Sequence, residues 1–411
     1  MSSQVDAADD ADTVDTRGHD HATAPATAAP PDDNAFDHAH AAEHSHEHAH
    51  TAGGETHSHE HAHALVDGDA ATHGHAHLHA YVDPATIPRP SDDVAPADRV
   101  VSVYDATAVD AASTEIRYVG TSGLKVTVLD GLESHGRLER LTLRSCLLSE
   151  MTGVAAHGHT LVYLELYDNQ IRSLRGVDAC PNLEVLDVSY NGARSLEPVA
   201  VCSRLTELYV ACNKLREISG IEKLEALSMA DLGGNRIRKM EKLPPNVKKL
   251  FLGKNKIETI EGVGDLANLE VLDVQSNRLT SLDGAFPAGS CAKLRELYLA
   301  HNAIVDPSIE TLEPLQNLDT VDLSHNRLEA LDAFAPLKAL GDLWLSYNRV
   351  PRVEAVEPLA GLGLTCLYLD HNPCAAEPRY ARYLRDFFPT LEQLDANYVP
   401  TSSPTSPASP A

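Results

Sequence analysis

The sequence predicts an α/β solenoid with a parallel β-sheet on its concave side, mostly 3-10 turns on its convex side, and capped ends. Three observations predict it. A string of the form Leu-x-x-Leu-x-Leu-x-x-Asn recurs along the chain, the copies lie about 22 residues apart, and the stretch after a copy carries apolar residues at every third position.

Aligned on asparagine, the copies are LVYLELYDN ending at Asn169, LEVLDVSYN at Asn191, LTELYVACN at Asn213, LSMADLGGN at Asn235, VKKLFLGKN at Asn255 and LEVLDVQSN at Asn277. LRELYLAHN at Asn302, LDTVDLSHN at Asn326, LGDLWLSYN at Asn348 and LTCLYLDHN at Asn372 continue the series, and an earlier copy, LERLTLRSC, places Cys146 at the same position. The ten intervals from Cys146 are 23, 22, 22, 22, 20, 22, 25, 24, 22 and 24 residues. This is the leucine-rich-repeat signature. Apolar residues at the fifth and third positions before Asn alternate, which predicts a short strand with one buried face. The Asn that follows turns inward, where its amide can satisfy backbone groups of the bend. After Asn213 come Leu215, Ile218, Ile221, Leu224 and Leu227, a period of three that predicts a 3-10-type return rather than a long α-helix. Stacked copies then share one curved leucine-rich-repeat solenoid.

The flanks differ in composition. Residues 1–98 hold 19 acids against Arg17 and Arg89 and carry 16 of the 22 histidines, so they account for −17 of the net −27. With almost no large apolar side chains, they are expected to be a disordered acidic tail. Residues 99–137 regain apolar spacing (Val101, Val103, Tyr104, Ile116, Tyr118, Val119) and are assigned to an N-terminal cap. Repeats occupy 138–372, a C-terminal cap 373–400, and a Ser/Pro tail 401–411. In the C-terminal cap, Tyr380, Tyr383, Leu384, Phe387 and Phe388 fall at helical spacing before Pro389, with Leu391 and Leu394 following as a strand-like segment.

Neither segment has the basic excess that nucleic acid or an anionic membrane demands. No apolar run reaches the ~18 residues of a membrane span, and the N-terminal residues lack a secretory pattern. Seven cysteines without metal-type spacing fit free thiols in a reducing compartment, nucleus or cytoplasm. The tail repeats alternating histidines: His44, His46, His48, His50, then His57, His59, His61, His63, then His73, His75, His77, His79. Alternate side chains of an extended strand share one side, so these blocks are candidate low-specificity Zn²⁺ or Ni²⁺ ligands. No cofactor is required elsewhere.

The residue four before Asn points away from the core onto the concave sheet. Down the copies it is Thr142, Glu165, Asp187, Tyr209, Asp231, Phe251, Asp273, Tyr298, Asp322, Trp344 and Tyr368, acidic or aromatic at ten of eleven places. Trp and Tyr are enriched among interface hot spots, and the interleaved carboxylates call for a partner patch with Lys or Arg. Glu207, Glu296, Asp342 and Asp370 add to the acidity. An enzyme is not expected: there is no Gly-rich phosphate loop, nucleophile elbow or HExxH, and no histidine in the outward column. His301, His325 and His371 recur immediately before Asn, where polar turn residues are a more economical reading than a metal ladder.

The strings LELYDNQI, LFLGKNKI, VQSNRLT and LRELYLAHN, and the closing PTLEQLDANYV, resemble the protein phosphatase 1 regulatory subunit 7 family over roughly residues 115–400. The resemblance implies a non-catalytic leucine-rich-repeat regulator that binds the type-1 Ser/Thr phosphatase catalytic subunit and controls its maturation, activity or localisation, in nucleus and cytoplasm. It implies concave contacts at the places matched by Asp187, Tyr209, Asp231, Phe251, Asp322, Asp342, Trp344 and Tyr368, to which the outward column adds Asp273 and Tyr298. Tyr209 stands where the family usually has Phe, and Asp231 and Asp342 where Glu is usual. The chain lacks a short K/R-V-x-F docking motif, in keeping with docking through the solenoid. The alternative is a 22-residue-class adaptor of an axonemal dynein-associated or spliceosomal complex.

Overall fold

A computed structural model describes residues 100–120 and 124–399. The acidic tail, its histidine blocks and the Ser/Pro tail lie outside the described residues.

Fourteen strands form one sheet whose order follows the chain. Strand β2 (Glu115–Val119) opens it, followed by β4 (Arg140–Arg144), β5 (Tyr163–Glu165), β6 (Val185–Asp187), β7 (Glu207–Tyr209), β8 (Met229–Asp231) and β9 (Lys249–Phe251). Then come β10 (Val271–Asp273), β11 (Glu296–Tyr298), β12 (Thr320–Asp322), β13 (Asp342–Trp344), β14 (Cys366–Tyr368), β15 (Gln393–Leu394) and β16 (Asn397–Tyr398). Neighbours pair in parallel up to β15, and β16 turns back antiparallel on β15. The middle residue of each repeat strand, such as Leu186, Leu250, Leu297 or Leu343, is fully buried. Each such leucine contributes roughly 1.5–3 kcal/mol of burial, and no single copy encloses enough surface to fold alone.

The asparagines close each turn as the sequence predicts. Asn326 donates from Nδ2 to the carbonyl oxygens of Leu299 (3.0 Å), Leu323 (3.0 Å) and Ser324 (3.2 Å) and accepts from Ile304 N–H (3.0 Å). One side chain thus satisfies backbone groups of two successive copies, and the pattern repeats from Asn169 to Asn372. Cys146 donates from Sγ to Arg144 O (3.2 Å), and a thiol, a weak donor and a weak acceptor, gives the first copy a weaker tie than an amide.

On the convex side, 3-10 segments at Val154–His157, Val177–Ala179, Glu197–Val201, Val263–Asp265, Asp332–Phe334 and Val353–Leu359 carry the returns. The one short α-turn among them, α1 (Ile309–Leu312), sits in a 24-residue interval, where extra length lets the chain coil. The return after Asn213 corrects the expectation drawn from it. Leu215, Ile218, Ile221, Leu224 and Leu227 are all buried, but the backbone there runs through bends and turns with no 3-10 segment. A period of three is compatible with any conformation that repeats its facing every third residue, including extended ones.

Both ends are covered. In the N-terminal cap, β2 extends the repeat sheet and buries Ile116, while β1 (Val100–Asp105) pairs in parallel with β3 (Leu124–Asp130) in a separate two-stranded sheet. Val103 and Val119, grouped with the apolar cap residues, are exposed. At the other end α2 (Tyr380–Phe387) buries Tyr380 and Leu384, with Phe388, Leu391 and Leu394 buried behind it. Asp395 accepts from Leu369 N–H (2.8 Å), Asp370 N–H (3.0 Å) and Tyr380 Oη, which closes the backbone of the last copy. No helix among the described residues is long and apolar enough to cross a membrane.

Candidate functional site

The outward column stays in unbroken register. Thr142 pairs with Glu165, Glu165 with Asp187, Asp187 with Tyr209, Tyr209 with Asp231 and Asp231 with Phe251. Phe251 pairs with Asp273, Asp273 with Tyr298, Tyr298 with Asp322, Asp322 with Trp344 and Trp344 with Tyr368. From Asp187 to Trp344 acid and ring alternate strictly, so each of Asp231, Asp273 and Asp322 sits between two aromatic strands. Asp342 lies two residues before Trp344 in the neighbouring column, opposite Thr320 and Cys366, and accepts from Thr365 Oγ1 (3.1 Å).

The carboxylates are recessed rather than projecting. Asp273 and Asp322 are more than nine-tenths buried, and Tyr298 is 4% exposed. Each column aspartate accepts from the backbone N–H two residues on: Asp187 from Ser189 (2.8 Å), Asp231 from Gly233 (2.9 Å), Asp273 from Gln275 (2.8 Å) and Asp322 from Ser324 (2.9 Å). Part of the column's acidity is therefore structural, a cap on the strand end. Composition alone does not reveal this role, although Asp followed two places later by a small or polar residue is visible in the string. Burial pushes Asp187 up to about 6, against the Ser189 N–H that favours its charged form. Burial also pushes Asp273 up to about 7, helped by the charges of Asp231 and Asp322 and opposed by the Gln275 N–H. Asp322 and Asp342 shift upward for the same first cause.

The rings are anchored by neighbouring acids. Tyr209 Oη donates to Glu207 (2.9 Å) and Tyr298 Oη to Glu296 (2.9 Å). Trp344 stands between Tyr298 and Tyr368, with ring centroids 6.5 Å and 6.2 Å away, and its Nε1 is buried beside the Cys366 thiol. Tyr298 and Trp344 belong to strands on either side of β12 and so bracket Asp322.

Two further columns flank this one. Two residues past the column lie Ser189, Ala211, Gly233 and Gly253, then Gln275, then Ala300, Ser324 and Ser346, so that stretch carries small side chains at every place but Gln275. A Cβ on Gly233 would come within 3.2 Å of Asp231 Oδ1, and one on Gly253 within 3.2 Å of Asp273 Oδ2, so the small residues make room for the carboxylates. Next come the residues just before Asn, held at positive φ, where His301, His325, Tyr347 and His371 stack face to face at 4.0, 4.1 and 4.0 Å. Tyr347 lies between His325 and His371 in that stack, and no group of three metal-ligating side chains occurs among the described residues.

Family models agree with this geometry. One described as leucine rich repeat matches residues 267–328 and 292–350, and one described as leucine rich repeats (2 copies) matches 245–285. The chain carries leucine-rich repeats. An internalin (inlF) from Listeria monocytogenes is 20% identical over 69% of this leucine-rich-repeat chain and 86% of the internalin, at a TM-score of 0.54. A TDR receptor is 20% identical over 72% of this chain, which spans 58% of the receptor chain, at 0.56. The leucine-rich repeat domain of APL1B is 22% identical, with 62% and 73% covered, at 0.50. At such identities the likeness is one of fold. No curated protein matches the sequence at a significant level.

Proposed function

We propose that the chain is a non-catalytic regulatory subunit that binds the type-1 protein phosphatase catalytic subunit through the concave face of its solenoid, controlling that enzyme's maturation, activity or localisation. The observation that carries the reading is the column from Asp187 to Tyr368, an unbroken in-register line of acids and rings on the face a solenoid offers to a partner. The resemblance of residues 115–400 to phosphatase regulators supplies the partner's identity. In this reading Asp187, Tyr209, Asp231, Phe251, Asp273, Tyr298, Asp322, Asp342, Trp344 and Tyr368 are the contact residues. The aromatic members contribute the desolvated anchors, and the acids select a basic patch.

Affinity capture from a eukaryotic lysate on the immobilised full chain, read by mass spectrometry, tests it. The type-1 catalytic subunit is expected as the leading captured protein, lost in a chain carrying Asp187→Lys and Trp344→Ala together. Dynein-associated or spliceosomal proteins in its place would overturn the assignment while leaving the concave face as the docking surface.

A further inference from the structure

The concave face is electrically divided. From β6 to β13 every strand but β9 presents an acid on this face, and Lys249 on β9 is the only base there. Strands β2 and β4 reverse the sign. Arg117 on β2 and Arg140 and Arg144 on β4 alternate with the buried Ile116, Leu141 and Leu143, so all three face outward on the concave side. Arg117 pairs with Thr142, which lies between Arg140 and Arg144 along β4. The one column member that is neither acid nor ring is thus the one with arginines on three sides. Two of these arginines are held in place. The Arg140 guanidinium lies 4.0 Å from the centre of the Tyr163 ring, and that of Arg144 lies 4.5 Å from the centre of the Tyr167 ring while its Nη1 pairs with Glu165 at 3.0 Å. A guanidinium held over a ring keeps its edge N–H groups for an acceptor. Arg117 and Arg140 are exposed, and neither guanidinium forms a hydrogen bond or ion pair among the described residues. Glu115 stands opposite Arg140 in the strand pair without an ion pair to it.

We propose that this arginine end of the concave face binds an acidic peptide segment of the docked partner, one that carries at least two carboxylates along its length. The inference rests on the concave face being the docking surface and adds the order of charges a partner must present: acidic over β2 and β4, basic from β6 onward. Geometry selects a segment over a single small anion. Arg140 and Arg144 are four residues apart on one strand, roughly 13 Å at ~3.3 Å per residue, and one carboxylate does not span that distance. Tyr163 and Tyr167 repeat the spacing on β5, so the face offers two ring-backed cations in line along the strand direction. An extended segment lying the same way sets alternate side chains on one side and reaches both, with Arg117 beside them. Guanidinium edges take carboxylates in paired hydrogen bonds, as Arg clusters do for acidic motifs. The chain as a whole carries a net charge of −27, so an acidic segment that binds it does so through local pairing at these arginines and not through the overall field.

Anisotropy titrations of the full chain against three fluorescein-labelled twelve-residue peptides in a Gly/Ser background test this: four glutamates, one glutamate, and four glutamines. The first is expected to bind at least tenfold more tightly than either of the others and to weaken as salt is raised. Arg117→Gln combined with Arg140→Gln should weaken it at least tenfold at an almost unchanged melting temperature, because neither guanidinium is bonded within the fold. Lys249→Gln, on the same face but five strands from β4, should leave the affinity as it is. Equal affinity for the glutamate and glutamine peptides, or a loss in Lys249→Gln as large as in the arginine pair, overturns the proposal. Titrating the type-1 phosphatase catalytic subunit into the same chains separates this failure from failure of the assigned function. Weaker phosphatase binding by the arginine pair is expected. Phosphatase binding that depends on Trp344 and is indifferent to the arginine pair refutes the acidic segment and leaves the face, whereas glutamate-peptide binding without phosphatase binding keeps the arginine site and refutes the assigned partner.

Discussion

Asp273 shows how one side chain carries two burdens. It caps Gln275 N–H as an acceptor, which favours the carboxylate, while burial and the nearby Asp231 and Asp322 hold its pKa near 7. The folded chain therefore takes up a proton between about pH 4 and 7 that the unfolded chain does not. Linkage then makes the contribution of this group most favourable below that window, and it is lost as pH rises through about 7. Asp273→Asn retains the cap and cannot ionise, so its melting temperature relative to wild type should climb from pH 5 to pH 8; a difference independent of pH contradicts the assignment. Leu343 and Trp344 divide the two faces of one strand. Leu343 is fully buried, and Leu343→Ala is expected to cost ~2–5 kcal/mol in a denaturant titration. Trp344→Ala should cost much less, since the ring is only half-buried, and a loss as large as that of Leu343→Ala would reverse the inward and outward register.

In the repeat unit, strand and Asn bend were legible because their residues act locally: leucine alternation sets the strand, and only an amide both donates to carbonyls and accepts from an N–H at one bend. Asn326→Ala removes four hydrogen bonds in a buried turn and is expected to lower stability by at least ~2 kcal/mol, measured by chemical unfolding; a loss under half of that means the bend holds without its amide. The conformation of the returns was less legible. Apolar residues at every third position bury themselves in bends after Asn213 as well as in 3-10 turns elsewhere, so the period reports facing but not hydrogen bonding. Strand β2 was less legible because EIRYV buries Ile116 fully and only leans Tyr118 against the core, where a repeat strand offers a leucine frame. The aromatic spacing of α2 was clear enough that its bounds, Tyr380–Phe387, follow the residues named for it.

Across the whole molecule, register is what turns scattered residues into a face. The identity of the column members was readable from the alignment on Asn, but their recession and the closure of Tyr298 and Trp344 over Asp322 depend on neighbouring strands 20 to 25 residues away. An acidic chain with a concave line of recessed carboxylates is suited to a basic partner, and salt should weaken the complex mainly through association rate. The most direct test is calorimetric titration of the purified type-1 phosphatase catalytic subunit into the full chain and into its Trp344→Ala variant. A stoichiometric complex with wild type, weakened at least tenfold by the variant at an almost unchanged melting temperature, is the result expected of a concave hot spot. Equal affinity for the two chains, or no binding to either, contradicts it.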